Sequence, residues 1–232
     1  EYAKLQEKII RNSAKLIYKN KEFYLQISVE NKEQDLKDTS NFLGIDLGII
    51  NLATSSDNQI FSGASIDSNR KRYGKLRAKL QKVGSKSAKR HLKKISGKER
   101  RFKKNTNHVI SKQIVLTAKA LNKGIALEEL KFFKKTVRKN QQEQFSKWSF
   151  GELSFFIEYK AKLSGVKVVK VNPRYTSQTC SKCNHCEKLN RKSQDVFKCK
   201  SCGFTLHADL NAAINIAARA VVNQPIVANY CS

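Results

Sequence analysis

The order of apolar and polar positions divides the chain into segments of different period. Lys15 to Glu30, KLIYKNKEFYLQISVE, holds two runs of alternating apolar residues around a Lys-Asn-Lys turn, which predicts a β-hairpin. A polar stretch from Asn31 to Ser40 follows. FLGIDLGIINLATSSDNQIFSG then predicts two or three short strands, punctuated by Gly and Asp-Asn turn signals. Beyond Arg70 the period lengthens. Leu76, Leu80, Leu92 and Ile95 recur at helical spacing and predict two long helices turned near Gly84 and Ser85, continuing from Asn107 to Leu121 with a more apolar character.

Gly124 to Leu130, GIALEEL, is a short apolar run ending in acids and predicts a buried strand. Ser149 and Glu152 form an S-x-x-E capping box for a helix with the stripe Leu153, Phe156, Ile157 and Leu163, which stops at Gly165. Val166 to Val171 predicts another strand, and Leu210 to Val222 an Ala-rich helix. This order of strand cluster, long helices, strand, helix, strand, cysteine-rich insert and helix implies an α/β fold with one core and one small appended module.

Charge sharpens that picture. Among 232 residues, 46 Lys or Arg face 19 Asp or Glu, a formal charge of +27. A charge of this size opposes compaction unless a polyanion neutralises it, so nucleic acid is the expected partner and an acidic disordered tail is excluded. The charge is also concentrated: Arg70 to Lys104 holds 17 Lys or Arg and the single acid Glu99. With acids nearly absent, the i,i+4 pairing of an ordinary solvated helix face is not available. Lys71, Arg72, Lys75, Arg77, Lys89, Arg90, Lys93, Arg100 and Arg101 are therefore candidate contacts to a phosphate backbone. No window approaches the ~18 consecutive apolar residues of a membrane span, and no apolar signal region opens the chain, so a soluble intracellular protein without a membrane partner is expected. The chain starts at Glu1 and contains no Met, which leads us to expect part of a longer product.

Five of the six cysteines lie between Cys180 and Cys202, a clustering that favours metal over disulfides. Cys180-Ser-Lys-Cys183 and Cys199-Lys-Ser-Cys202 are two C-x-x-C knuckles 15 residues apart, the spacing of a four-thiolate zinc site. Such a site has no open coordination position, so the one zinc is structural. Cys183 with Cys186 makes a third C-x-x-C. Cys180 is preferred as the ligand, because Asn184 after Cys183 and Gly203 after Cys202 then occupy equivalent turn positions.

With acids so scarce, those in apolar settings stand out: Asp46 inside FLGIDLGII, Glu128 at the end of IALEE, and Asp209 before LNAAINIAA. Each has an ordinary alternative, a turn for Asp46, a Lys partner for Glu128, a helix N-cap for Asp209. Burying an acid costs several kcal/mol unless it is paired or metal-bound. Brought together by an α/β sheet, the three would suit a pair of Mg²⁺ ions, with Mn²⁺ as a substitute, that activate water and stabilise the leaving oxygen of a phosphodiester. Glu129 is the rival to Glu128, since alternation lets only one of them face the site.

The segments GIDLGIINLAT (44 to 54), RRFKKNTNHVISKQIV (100 to 115), ALEEL (126 to 130), VVKVNPRYTSQTCSKC (168 to 183), KCKSCGF (198 to 204) and HADLNAAINIA (207 to 217) resemble the TnpB (OrfB) proteins of insertion sequences, relatives of the type V CRISPR effectors. The resemblance implies a RuvC-like nuclease domain of RNase H-like fold, with a basic helical insertion and an inserted zinc ribbon. On that basis residues 1–40 are the end of an upstream β-rich oligonucleotide-binding domain plus linker. Residues 41–174 and 207–224 are the nuclease domain, with the helical hairpin at 66–122; 175–206 are the ribbon and 225–232 a tail. The resemblance assigns catalysis to Asp46, Glu128 and Asp209, and substrate-proximal or flanking positions to Arg174, Ser177, Asn51 and Asn211. It implies Mg²⁺-dependent cleavage of target DNA directed by a guide RNA from the transposon end, in a prokaryotic cytoplasm and on the nucleoid when bound to DNA. The region that reads a target-adjacent motif is missing from the match. The competing functions are a non-catalytic nucleic-acid-binding descendant and a strand-transfer transposase.

Overall fold

A computed structural model describes residues 9–19, 21–30, 34–129 and 150–222. The expected hairpin is present as β1 (Ile9–Lys19) and β2 (Glu22–Glu30), paired antiparallel with Tyr18 opposite Phe23 and Leu16 opposite Leu25. The next apolar segment divides into three strands: β3 (Phe42–Asp46), β4 (Asn51–Ser55) and β5 (Ile60–Ser62). Two long helices follow, α1 (Ala64–Val83) and α2 (Lys86–Ala120). Gly84 ends α1 with a φ of 66°, a left-handed conformation that favours glycine. Ser85 starts α2 by accepting from the Ala88 amide. The turn expected at these two residues is thus a C-cap joined directly to an N-cap, and α2 runs unbroken through Asn107 to Ala120.

Strand β6 (Gly124–Glu128), helix α3 (Phe150–Leu163) and strand β7 (Val168–Val171) complete the main unit. The capping box expected of Ser149 lies outside the described residues, and the Glu152 carboxylate accepts from the Asn107 side chain at 2.6 Å. After the cysteine-rich insert, with its short strands β8 (Val196–Lys198) and β9 (Thr205–His207), comes α4 (Ala208–Val222). This helix starts two residues before the expected Leu210, so Asp209 stands inside its first turn.

The main sheet has the order β5-β4-β3-β6-β7. Strands β3, β6 and β7 are parallel, and β4 alone runs against its neighbours. One face buries Leu43, Ile45, Ile125 and Leu127 against Ile114 and Val115 of α2 and Leu153 and Ile157 of α3. The other packs Phe42, Ala126 and Val171 against Ile216 and Ala220 of α4. Among the described residues no helix is long and apolar enough to cross a membrane.

Helix α4 approaches β3 through a glycine. A Cβ at Gly44 would lie 2.0 Å from the Ala213 carbonyl oxygen and 2.6 Å from the Ala217 amide nitrogen. Since backbone cannot yield as a side chain can, Gly44→Ala should lower stability by about 3 kcal/mol or more, seen as an early thermal transition. A variant melting with the wild type would mean that α4 does not sit this close to the sheet.

Candidate active site and cysteine module

Asp46 and Glu128 are the last residues of two adjacent parallel strands. The register pairs Ile45 with Leu127, so the acids that follow stand side by side at the C-terminal edge of the sheet, where open α/β sheets bind their ligands. Asp209 reaches the same edge because α4 lies across β3. Its carboxylate belongs to a residue only 4% exposed and accepts from the Asn51 amide at 3.0 Å on Oδ2 and from the Arg191 guanidinium at 3.1 Å on Oδ1. That pair of partners, rather than an N-cap, is the environment of Asp209. Of the two rival acids at the end of β6, Glu128 joins the group: Oε1 accepts from the Thr176 hydroxyl at 2.6 Å.

The three acids repel one another in a poorly solvated place. Burial pushes the Asp46 carboxyl up from its ordinary 3.8 to about 8, helped by the charges of Glu128 and Asp209 and only partly opposed by Arg191. Burial also raises Glu128, against the Thr176 hydrogen bond and the charges of Arg219 and Arg191. Without added positive charge the cluster holds a proton, and its oxygen donors are the ligands that hard divalent cations take.

The other residues expected near the acids divide by geometry. Asn51 orients Asp209. Arg174 is exposed on the loop after β7, and its carbonyl accepts from Arg219 at 2.6 Å; Ser177 is half-buried on the same loop. Asn211 departs from the expected nucleic-acid contact. It is fully buried, donating to the Thr179 carbonyl at 2.8 Å and accepting from the Ser181 amide at 3.0 Å, so it braces the entry to the cysteine module. Sequence reasoning does not single out Thr176, Arg191 or Asn215. Arg191 lies 18 residues before Asp209 inside the insert, where nothing local marks it among many basic residues. Asn215 does carry a signal, as a polar residue on the apolar face of an Ala-rich helix.

The sulfurs of Cys180, Cys183, Cys199 and Cys202 lie within 4.8 Å of one another, the donor set that suits a tetrahedral structural zinc. Cys186 is exposed and outside the cluster. The two knuckles repeat one another. Asn184 and Gly203 have φ of 60° and 70°, and their amides donate to the carbonyls of Cys180 and Cys199 at 2.9 and 3.1 Å. The amides of Cys180 and Cys199 in turn donate to the carbonyls of His185 and Phe204. N–H groups of Cys202 and Ser201 aimed at the Cys199 sulfur favour its thiolate, while hydrogen bonds shared with the other three cysteines push the Cys183 thiol up, so without a cation the cluster keeps protons among its sulfurs.

On the helical hairpin Arg72, Lys75, Lys89, Arg90, Lys93, Arg100 and Arg101 are exposed. Lys71 is exposed too and pairs with Asp67 at 2.8 Å. Arg77 is engaged within the protein instead. It pairs with Glu99, the lone acid of the basic stretch, and so clasps α1 to α2.

The chain is similar in sequence and in fold to known proteins. The family model described as OrfB_IS605, probable transposase, covers residues 26–134, and the Cas12f1-like TNB domain model covers 150–216. Over these two successive stretches the chain is similar to the TnpB/OrfB proteins and to their Cas12f relatives. It is 34% identical over 228 residues to the CRISPR-associated endodeoxyribonuclease Cas12f2 of a Micrarchaeota archaeon, covering 89% of this chain and 42% of the relative. It is 31% identical over 217 residues to Cas12f1 of Sulfoacidibacillus thermotolerans, covering 86% and 50%. With the TnpB-like protein MJ0751 of Methanocaldococcus jannaschii it shares 36% over 150 residues, covering 62% and 53%. The chain thus spans about half the length of the curated relatives it matches. Its fold is similar to that of Cas12f1 in a cryo-EM complex with sgRNA and target DNA, with a TM-score of 0.61 at 23% identity, covering 90% of this chain and 66% of that one.

Two measurements test the centres. Metal analysis should return about one zinc per chain, lost in Cys180→Ser and kept in Cys186→Ser; the reverse pattern would exchange the ligands. For the acids, the raised Asp46 carboxyl contributes stability that is present below its unfolded value of 3.8 and lost as pH climbs through about 8. In magnesium-free buffer Asp46→Asn should melt above the wild type by a margin on the order of a few degrees that widens from about pH 5 to pH 8.5. A constant or shrinking margin would contradict the crowding of the three carboxylates.

Proposed function

We propose that the chain carries the nuclease core of a transposon-encoded, RNA-guided DNA endonuclease associated with DNA transposition, with guide RNA and target DNA as partners. The observation that carries the reading is the convergence of Asp46, Glu128 and Asp209 at the C-terminal edge of the parallel strands, where burial and mutual repulsion leave a deficit of positive charge. The five-stranded sheet with one reversed strand supports a RuvC-like domain of RNase H-like fold. The 66–122 hairpin interrupts it as a basic insertion and the 175–206 ribbon as a second one.

Bound Mg²⁺ ions would supply an activated water and neutralise the leaving oxygen of the phosphodiester. The chain's own residues prepare that site. Asp46, Glu128 and Asp209 would hold the cations, and Asn51 fixes the orientation of Asp209. Arg191 brings a guanidinium to the buried edge, where it balances part of the carboxylate charge and suits a phosphate oxygen. Arg174 and Ser177 stand on the loop that carries Thr176 and present donors to the strand being cut. The exposed cations of α1 and α2 grip the backbone of a guide–target duplex, whose sequence is read by base pairing and not by protein.

The test is cleavage of matching DNA by the natural full-length protein loaded with its transposon-end RNA. Asp46→Ala, Glu128→Gln and Asp209→Asn should each reduce the rate by at least about a thousandfold while RNA binding persists. Undiminished cleavage by Asp46→Ala would remove the acids from the mechanism.

A further inference from the structure

The loop from Asn172 to Ser181 leads out of β7 into the first cysteine knuckle, and it is tied at both ends. Thr176, 3% exposed, gives its hydroxyl to Glu128 Oε1 at 2.6 Å. Its carbonyl accepts from Asn215 Nδ2 at 2.8 Å, and the same amide group donates to the Thr179 carbonyl at 2.7 Å. Asn211, one turn earlier on α4, binds Thr179 and Ser181 as described above. Just before Thr176, Tyr175 has a φ of 63°, a left-handed conformation that a bulky side chain adopts only when its surroundings enforce it. The surroundings do so here. Its carbonyl accepts from the amides of Gln178 and Thr179, each at 3.0 Å, and from the Thr179 hydroxyl at 2.8 Å.

A threonine that only filled space would need none of this. The backbone on one side is held in an unfavourable conformation and on the other is pinned to a helix, and the outcome is a hydroxyl aimed at one oxygen of a desolvated carboxylate. We propose that Thr176 is a positioning residue for Glu128, held in place by Asn215. Helix α4, which carries Asp209, thereby also orients the acid at the end of β6. This rests on the reading of the acids as a divalent-cation centre. The hydroxyl engages one carboxylate oxygen and limits rotation of the group, so the other oxygen is presented in one direction before a cation arrives. The same loop continues into the Cys180 knuckle, so the cysteine module and the acid centre share a support.

The experiment is Mn²⁺ binding to the whole chain with its zinc retained, followed by calorimetry. Thr176→Val keeps the volume and removes the hydroxyl. It should weaken Mn²⁺ binding on the order of tenfold, the effect of one hydrogen bond to an ionised group, with zinc content unchanged. Thr176→Ser restores the hydroxyl and should bind Mn²⁺ as the wild type does. In a Glu128→Gln background the Thr176→Val change should add nothing. Should the valine variant fail to melt cooperatively, Thr176→Ala, which cannot overfill the site, provides the same comparison. Wild-type affinity in both hydroxyl-free variants, with Asp209→Asn abolishing binding, overturns the positioning role and leaves the cation centre standing. Unchanged binding in Asp209→Asn removes the cation centre itself, and the inference with it.

Discussion

Two backbones meet at Gly44. Helix α4 sits against β3 there, near enough that even a methyl group would have to displace main-chain atoms. That contact carries Asp209 to the end of β3, where Asp46 stands, and it seals the second face of the sheet around Phe42, Val171 and Ile216. The desolvation that raises Asp46 follows from the same seal. Glycine and the small residues of the Ala-rich helix are thus what make an acidic centre possible in a chain dominated by cations.

The positive charge is handled by a division of space. Most of the basic residues on α1 and α2 face solvent, and the one acid between Arg70 and Lys104, Glu99, is used to clasp the helices together through Arg77. Near the acids the cations are few and individually placed: Arg191 on Asp209, with Arg219 engaged by the carbonyls of Asn172 and Arg174. An open helical surface can carry many solvated charges, whereas a buried centre tolerates only those that are paired.

Much of this order is legible in the chain. Strands β3 to β7 and both long helices carry their periods openly, and Gly84-Ser85 announces its turn, because local caps and apolar spacing set those features. The knuckles are legible for the same reason: ligand spacing and the turn residues Asn184 and Gly203 are local. Contacts between distant segments are not. Arg191 meets Asp209, Asn51 meets Asp209 and Thr176 meets Glu128 only after the sheet is assembled and the insert folds back. The family resemblance sets Asn211 beside the acids as a substrate-side position, yet two positions along a helix turn a side chain well away from Asp209, here toward the cysteine module. The start of α4 differs from expectation for a related reason. Asp209 has the composition of a cap, but Asn51 and Arg191 hold its carboxylate within the first turn.

The cysteine cluster is lopsided. Cys180 and Cys199 are buried with Phe197 and Ala208, at the foot of α4, while Cys183 and Cys202 are exposed. Each knuckle therefore gives one sulfur to the interior and one to solvent. Traffic at this cluster has a direction: a chelator or an oxidant meets the outer pair first, and the inner pair stays anchored in its apolar seat. The module can begin to open from its rim while its root, which adjoins the first turn of α4 and so Asp209, is the last part to let go.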